Sequence, residues 1–135
     1  MRRIAATRSG VLGINLARSR LLIETRNLAQ SRGARLAVVL VPSPWEVYPD
    51  RWRDIVARTP AMQKATLDLD EPSRKLRQFL TAESIAYLDL GPEFRARQSA
   101  SPTLYFNPDH HWTAEGPRLA AETIAPRLAA MVKQP

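Results

Sequence analysis

The sequence predicts an α/β fold built on a parallel sheet with few strands. Two short apolar runs rich in strand-forming residues, ARLAVVLVP at 34–42 and SIAYLDL at 84–90, read as buried strands. Helical patterns at 11–32, 72–83 and 117–133 flank and separate them, the alternation that produces parallel strands. Only two strands are legible, whereas an independent sheet normally needs three or more. The chain therefore reads as one unit, 1–135, belonging to a larger α/β sheet.

The elements follow from local signals. In 11–32, Ile14, Ala17, Leu21 and Leu28 share a face, arginines cover much of the rest, and Gly33 suits the stop. Gly33 and Pro42 bound the first strand, and Pro42, Pro44 and Pro49 predict an irregular loop over 42–50. A short helix is expected at 50–58 and a polar loop at 59–71. The helix at 72–83 starts at Pro72 and turns Leu76, Phe79 and Leu80 inward. After the second strand, 91–103 is low in apolar residues and reads as loop. The last helix carries Ala120, Ile124, Leu128 and Met131 on one stripe, with Gly116 as N-cap and Pro117 in the first turn. Pro126 should kink it or start a fresh turn.

Composition excludes several classes. The 135 residues are 44% hydrophobic and 24% charged, as in ordinary globular domains. The net charge of +7 comes from arginines scattered between Arg2 and Arg127, without a basic run interleaved with aromatics, so nucleic acid is not an expected partner. There is no cysteine, hence no disulfide, thiolate metal site or cysteine nucleophile. Arg8 and Arg18 interrupt the N-terminal apolar stretch, which removes a signal-peptide core and leaves the compartment open. No segment is apolar for long enough to span a membrane.

The chemistry concentrates in YFNPDHHWTAEG, residues 105–116, which holds the only two histidines. On an extended or turning backbone Asp109 and His111 point to one side and His110 to the other. A histidine base needs a partner on its second nitrogen, and Asp109 can supply it. Trp112 can wall the pair off from water or simply plug the edge of the core. Two other readings stay open: the pair merely caps the next helix, or Asp109, His110 and His111 hold a metal for phosphoester hydrolysis. The metal reading needs further aspartates at strand ends. Asp68 and Asp70 lie in a loop with no strand before them, so no metal and no cofactor is expected. Trp112, Trp45 and Tyr48 are the substrate-binding candidates; Trp45 and Tyr48, with Trp52 nearby, can line an acyl or sugar pocket or cover the sheet edge.

DHHWTAEGPRLAAETIAPRL resembles the C-terminal motif of SGNH/GDSL-type hydrolases, in the branch that carries Asp-x-His-Trp followed by a glycine and an Ala/Leu-rich helix. Asp109, His111, Trp112, Gly116, Leu119, Ala120 and Ala121 match it. RLAVVLVPSPWEVYPDRW and SIAYLDLGPEF resemble two strands and their loops in that branch, which includes relatives of alginate O-acetyltransferases. The resemblance covers roughly residues 20–130 and implies a flavodoxin-like three-layer α/β/α sandwich. It implies His111 as general base, Asp109 as its orienting acid, and an ester or O-acylated carbohydrate as substrate.

One part of the family pattern is missing. The nucleophile block Gly-Asp-Ser does not occur. Ser9 and Ser43 do not sit in the strand-turn-helix elbow that a nucleophile uses, and Gly13-Ile14-Asn15 lacks the strand that would precede an oxyanion block. In the alginate-acetylation branch the serine follows Asp-x-His; in the usual order it precedes it. The chain begins where the family's central helix would begin, so the missing half is expected on the N-terminal side. Negligible esterase activity is expected of this chain alone. The competing expectation is a non-catalytic binding or assembly module that self-associates through an unpaired sheet edge.

Overall fold

The computed structural model describes residues 16–63, 68–107 and 109–133. The readings that fell on Ser9 and on Gly13–Asn15 lie outside the described residues. The elements run α1 (Leu16–Ser31), β1 (Ala37–Leu40), α2 (Pro44–Val47), α3 (Pro49–Arg58), α4 (Glu71–Ala82), β2 (Ala86–Asp89), α5 (Gly91–Ala96) and α6 (Glu115–Lys133). β1 and β2 pair as a small parallel sheet, and the Leu90 amide extends the pairing by donating to the Leu40 carbonyl at 3.0 Å. Each strand is four residues, shorter than its apolar run. Pro42 has no N–H with which to prolong β1. The chain forms two compact units, Met1–Val38 with Asp70–Tyr87, and Val39–Leu69 with Leu88–Pro135.

The first unit holds α1 and α4. α1 ends in a Schellman motif: Gly33 takes φ +70°, its N–H reaches the Gln30 carbonyl at 3.1 Å, and Ala34 reaches Ala29 at 2.9 Å. α4 ends the same way without a glycine. Ser84 at φ 53° bonds Thr81, and Ile85 bonds Leu80. Phe79, Leu80 and Ile85 are buried there. The face of α1 differs from the expected one. Leu21 and Leu28 are 63% and 54% exposed, while Ser19 is buried and Leu22, Arg26 and Ala29 are half-buried. Arg26 decides this phase. Its guanidinium donates to the Glu83 carbonyl and lies 3.7 Å from the Glu83 carboxylate. Such a side chain buries its stem while its head stays paired.

In the second unit, Ser43 and Glu46 form a capping box that creates α2 inside the expected loop. Ser43 Oγ accepts from the Glu46 amide at 3.3 Å, and the Glu46 carboxylate accepts from the Ser43 amide at 2.6 Å. α5 is a further helix where a loop was expected, and it exists to seat Phe94. The core joins Val47, Leu90, Phe94, Leu104, Tyr105, Leu119 and Ala120, with Tyr48, Trp112 and Ile124 packed against it. α6 starts at Glu115, two residues earlier than expected, and runs on through Pro126. Gly116 lies inside the helix and not at its cap, and Thr113 Oγ1, just ahead of the helix, accepts from the Glu115 amide at 3.2 Å. Leu128, expected inward, is 39% exposed. Arg118 clasps Glu115 and Glu122, and the hydrogen bond from Arg118 holds the Glu115 carboxyl below its usual range.

Candidate active site

The Asp-His stretch sits at the tip of a narrow hairpin. Tyr105 and Trp112 form an isolated antiparallel bridge. The Phe106 amide donates to the His111 carbonyl at 2.9 Å, and the Thr113 amide to the Leu104 carbonyl at 3.0 Å. Asn107, Asp109, His110 and His111 are thus held in a short loop between two paired segments.

Residues of α2 and α3 anchor that hairpin. Tyr48, at the junction of the two helices, accepts from the Leu104 amide at 2.9 Å. Arg51 donates to the carbonyls of Tyr105 and Phe106, at 3.2 Å each, and lies 4.0 Å over the Tyr48 ring. The Tyr105 hydroxyl donates to the Pro42 carbonyl just beyond β1. Tyr105, Phe94 and Trp112 make tilted or edge contacts with centroids 5.8–6.3 Å apart, the favourable range for aromatic pairs. Tyr48 is therefore occupied in holding the hairpin, and Trp112 in closing the core.

Burial pushes the Tyr105 hydroxyl above its ordinary value of 10.0, while a hydrogen bond with Trp112 pulls the other way. The unfolded chain loses this proton first as the pH rises. Stability present below about pH 10 is accordingly lost as the pH climbs through the raised folded value. Tyr105→Phe is expected to cost about 1–3 kcal/mol, because the Pro42 carbonyl is left buried without its donor. It should also flatten the alkaline limb. Urea denaturation at neutral and alkaline pH reads both effects.

Asp109 Oδ1 accepts from the His111 backbone amide at 3.0 Å, and the same oxygen lies 3.6 Å from His111 Nδ1. Both side chains are open to solvent, 60% and 85% exposed. His110 turns away. Its backbone is left-handed, φ 65°, and its half-buried ring packs edge-on against Trp45 with centroids 4.3 Å apart. The left-handed residue sends its two neighbours outward together while its own ring goes in.

This geometry has direct chemical consequences. Nδ1 of His111 faces a carboxylate, and no hydrogen bond occupies Nε2 among the described residues. The 3.6 Å separation is longer than a hydrogen bond. No serine hydroxyl bonds His111 among the described residues, and the Ser43 side chain is used as a helix cap. Asp109, His110 and His111 do not converge, and no group of three or more potential ligands gathers for a metal among the described residues. No described helix is long and apolar enough to cross a membrane. The inward position of His110 and the anchoring role of Arg51 escaped the sequence reading, since no local pattern announces a left-handed residue or a contact with residues 54 and 55 positions away.

A family model described as the SGNH hydrolase-like domain of acetyltransferase AlgX matches residues 13–134. The chain belongs to this family. Its mixed helix-strand structure with a small parallel sheet is consistent with part of an SGNH hydrolase-like α/β fold. The match spans the hairpin that carries Asp109 and His111. Membership of the SGNH hydrolase-like family points to acetyltransferase- or esterase-type chemistry on an acyl or carbohydrate substrate. No curated protein and no solved structure matches the chain.

Proposed function

We propose that Asp109 and His111 are the orienting acid and general base of a serine-dependent acyl-ester hydrolysis or O-acetyl transfer, with a serine supplied from outside these 135 residues. The supporting observation is the hairpin tip, where Asp109 lies on the Nδ1 side of His111 and Nε2 is left open. A serine hydroxyl would give its proton to Nε2 and attack the acyl carbonyl. The tetrahedral intermediate then expels the alkoxide, which takes the proton back. Water or an acceptor hydroxyl repeats the sequence on the acyl-serine. Asp109 holds the imidazole and offsets its positive charge. The exposure of His111 fits a site that a further segment must cover, because such charge stabilisation is strongest where water is excluded.

Turnover of a chromogenic acetyl ester tests this reading. The 135-residue chain alone should give the uncatalysed rate. With the serine-bearing segment present, His111→Ala should lower kcat by about 10⁴-fold or more, and Asp109→Asn by about 10⁴-fold. Turnover that survives His111→Ala would refute it.

The exposure of Val39 (37%) and Val41 (50%) favours a second reading, an assembly module that associates through the sheet. A concentration-dependent dimer reduced by Val41→Lys would support that reading.

A further inference from the structure

We propose that Trp45 and His110 are positioning residues for the Asp109–His111 pair. The contact between the indole and the His110 ring fixes the turn that sets the carboxylate on the Nδ1 side of His111. The need for such a device follows from exposure. The side chains of Asp109 and His111 stand mostly in solvent, so packing around them does little to hold them. Their placement comes from the backbone that joins them, and that backbone is His110. It takes φ 65°, a region that a residue with a Cβ enters only where its surroundings impose it. Glycine would enter it freely. This chain has a histidine there instead, and its ring centroid lies 4.3 Å from that of Trp45. The bond from the His111 amide to Asp109 Oδ1 spans the same residue, so turn and bond stand or fall together.

Packing holds the His110 ring. Its Nδ1 is shut off from solvent and has no hydrogen-bond partner among the described residues, a desolvated polar atom that nothing compensates. A ring without that nitrogen would make the same contact at lower cost. The other side of the contact is rigid. Trp45 stands between Pro44 and Glu46 in α2, inside the Ser43–Glu46 capping box. Its indole also rests on Trp52 of α3, with centroids 5.7 Å apart. Tilted and edge-on ring pairs of this kind are favourable. Arg51 fixes the near arm of the hairpin through the carbonyls of Tyr105 and Phe106. Beyond Phe106, the His110 ring anchors the tip against α2. Trp45 therefore acts on the base without touching it. The catalytic meaning of this placement rests on the acyl-transfer reading of His111; the placement itself does not.

Side-chain nitrogen NMR of histidine-labelled protein, in mildly alkaline buffer where imidazole is neutral, tests this without needing turnover. A carboxylate held at Nδ1 favours the tautomer protonated there. His111 should populate that tautomer about two- to fivefold more than it does in Asp109→Ala, the scale of an exposed pair. His110→Ala and Trp45→Ala should each bring it down to the Asp109→Ala level, and the double variant should go no lower. His110→Phe, which keeps the ring, should keep the native ratio. The amide spectrum shows which variants fold; should Trp45→Ala not fold, His110→Ala against His110→Phe decides. A ratio unchanged in the alanine variants would overturn the proposal. So would a native ratio equal to that of Asp109→Ala, or a His110→Phe that behaves like His110→Ala. With the serine-bearing segment present, the alanine variants should lower kcat and leave KM near its native value. Failure of the base assignment would leave the tautomer ratios intact. Failure of the positioning role would leave His111-dependent turnover at its native level in both alanine variants.

Discussion

Phe94→Ala is expected to destabilise the protein by about 3–5 kcal/mol, the range for a fully buried aromatic reduced to a methyl group. Phe94 has no exposed surface and contacts both Tyr105 and Trp112. The lost aromatic contacts add to the lost burial, and α5 is too short to persist on its own propensity. A cost of this size is a large part of the roughly 5–15 kcal/mol that holds a domain folded. The Tyr105–Trp112 bridge should loosen with it, carrying the Asp109–His111 loop along. Urea denaturation followed by tryptophan fluorescence measures the loss. Leu128→Ala, at a residue 39% exposed on α6, should cost far less, and equal costs would contradict the packing described.

Gly116→Ala should also destabilise, although alanine normally improves a helix by about 1 kcal/mol over glycine. A Cβ at Gly116 would lie 2.7 Å from Trp112 Cγ and 2.9 Å from the Leu104 carbonyl oxygen. One is a packed indole and the other is backbone held in the hairpin, so neither yields easily. Overpacking of this kind costs about 1–3 kcal/mol, which outweighs the gain in propensity. Gly33→Ala is the informative comparison. Its φ is +70° and nothing lies within 4 Å of the added Cβ, so it carries only the left-handed strain, about 1–2 kcal/mol. Gly116→Ala should change the near-ultraviolet signal of Trp112, whereas Gly33→Ala should leave it alone. A stabilised Gly116→Ala would mean that the indole does not sit against α6.

The sequence made some elements legible and hid others for physical reasons. β1, β2 and α4 are short apolar patterns with clear boundaries, and Phe79 and Leu80 fall on the expected inner face of α4. The face of α1 was misjudged because Leu21, Leu22, Ile23 and Leu28 lie around the helix, leaving the phase to Arg26 and its contact with Glu83. α5 has six residues, GPEFRA, too few to show a period. The capping box at Ser43 and Glu46 was readable in principle but sits among prolines. At the candidate site, residue types and spacing singled out Asp109 and His111. The depth of His110 could not be read, because it depends on a φ of 65° and on Trp45, sixty-five positions earlier.

In the proposed mechanism His111 activates a serine lying outside residues 1–135. Labelling with a fluorophosphonate, which reacts only with an activated serine, tests it most directly. The native protein would be isolated with any chain to which it is joined or bound, labelled, and the modified residue located by mass spectrometry. The label is expected on a serine outside these 135 residues, lost in His111→Ala while the fold persists. A label on Ser43 or another serine of this chain, or labelling unchanged in His111→Ala, would contradict it.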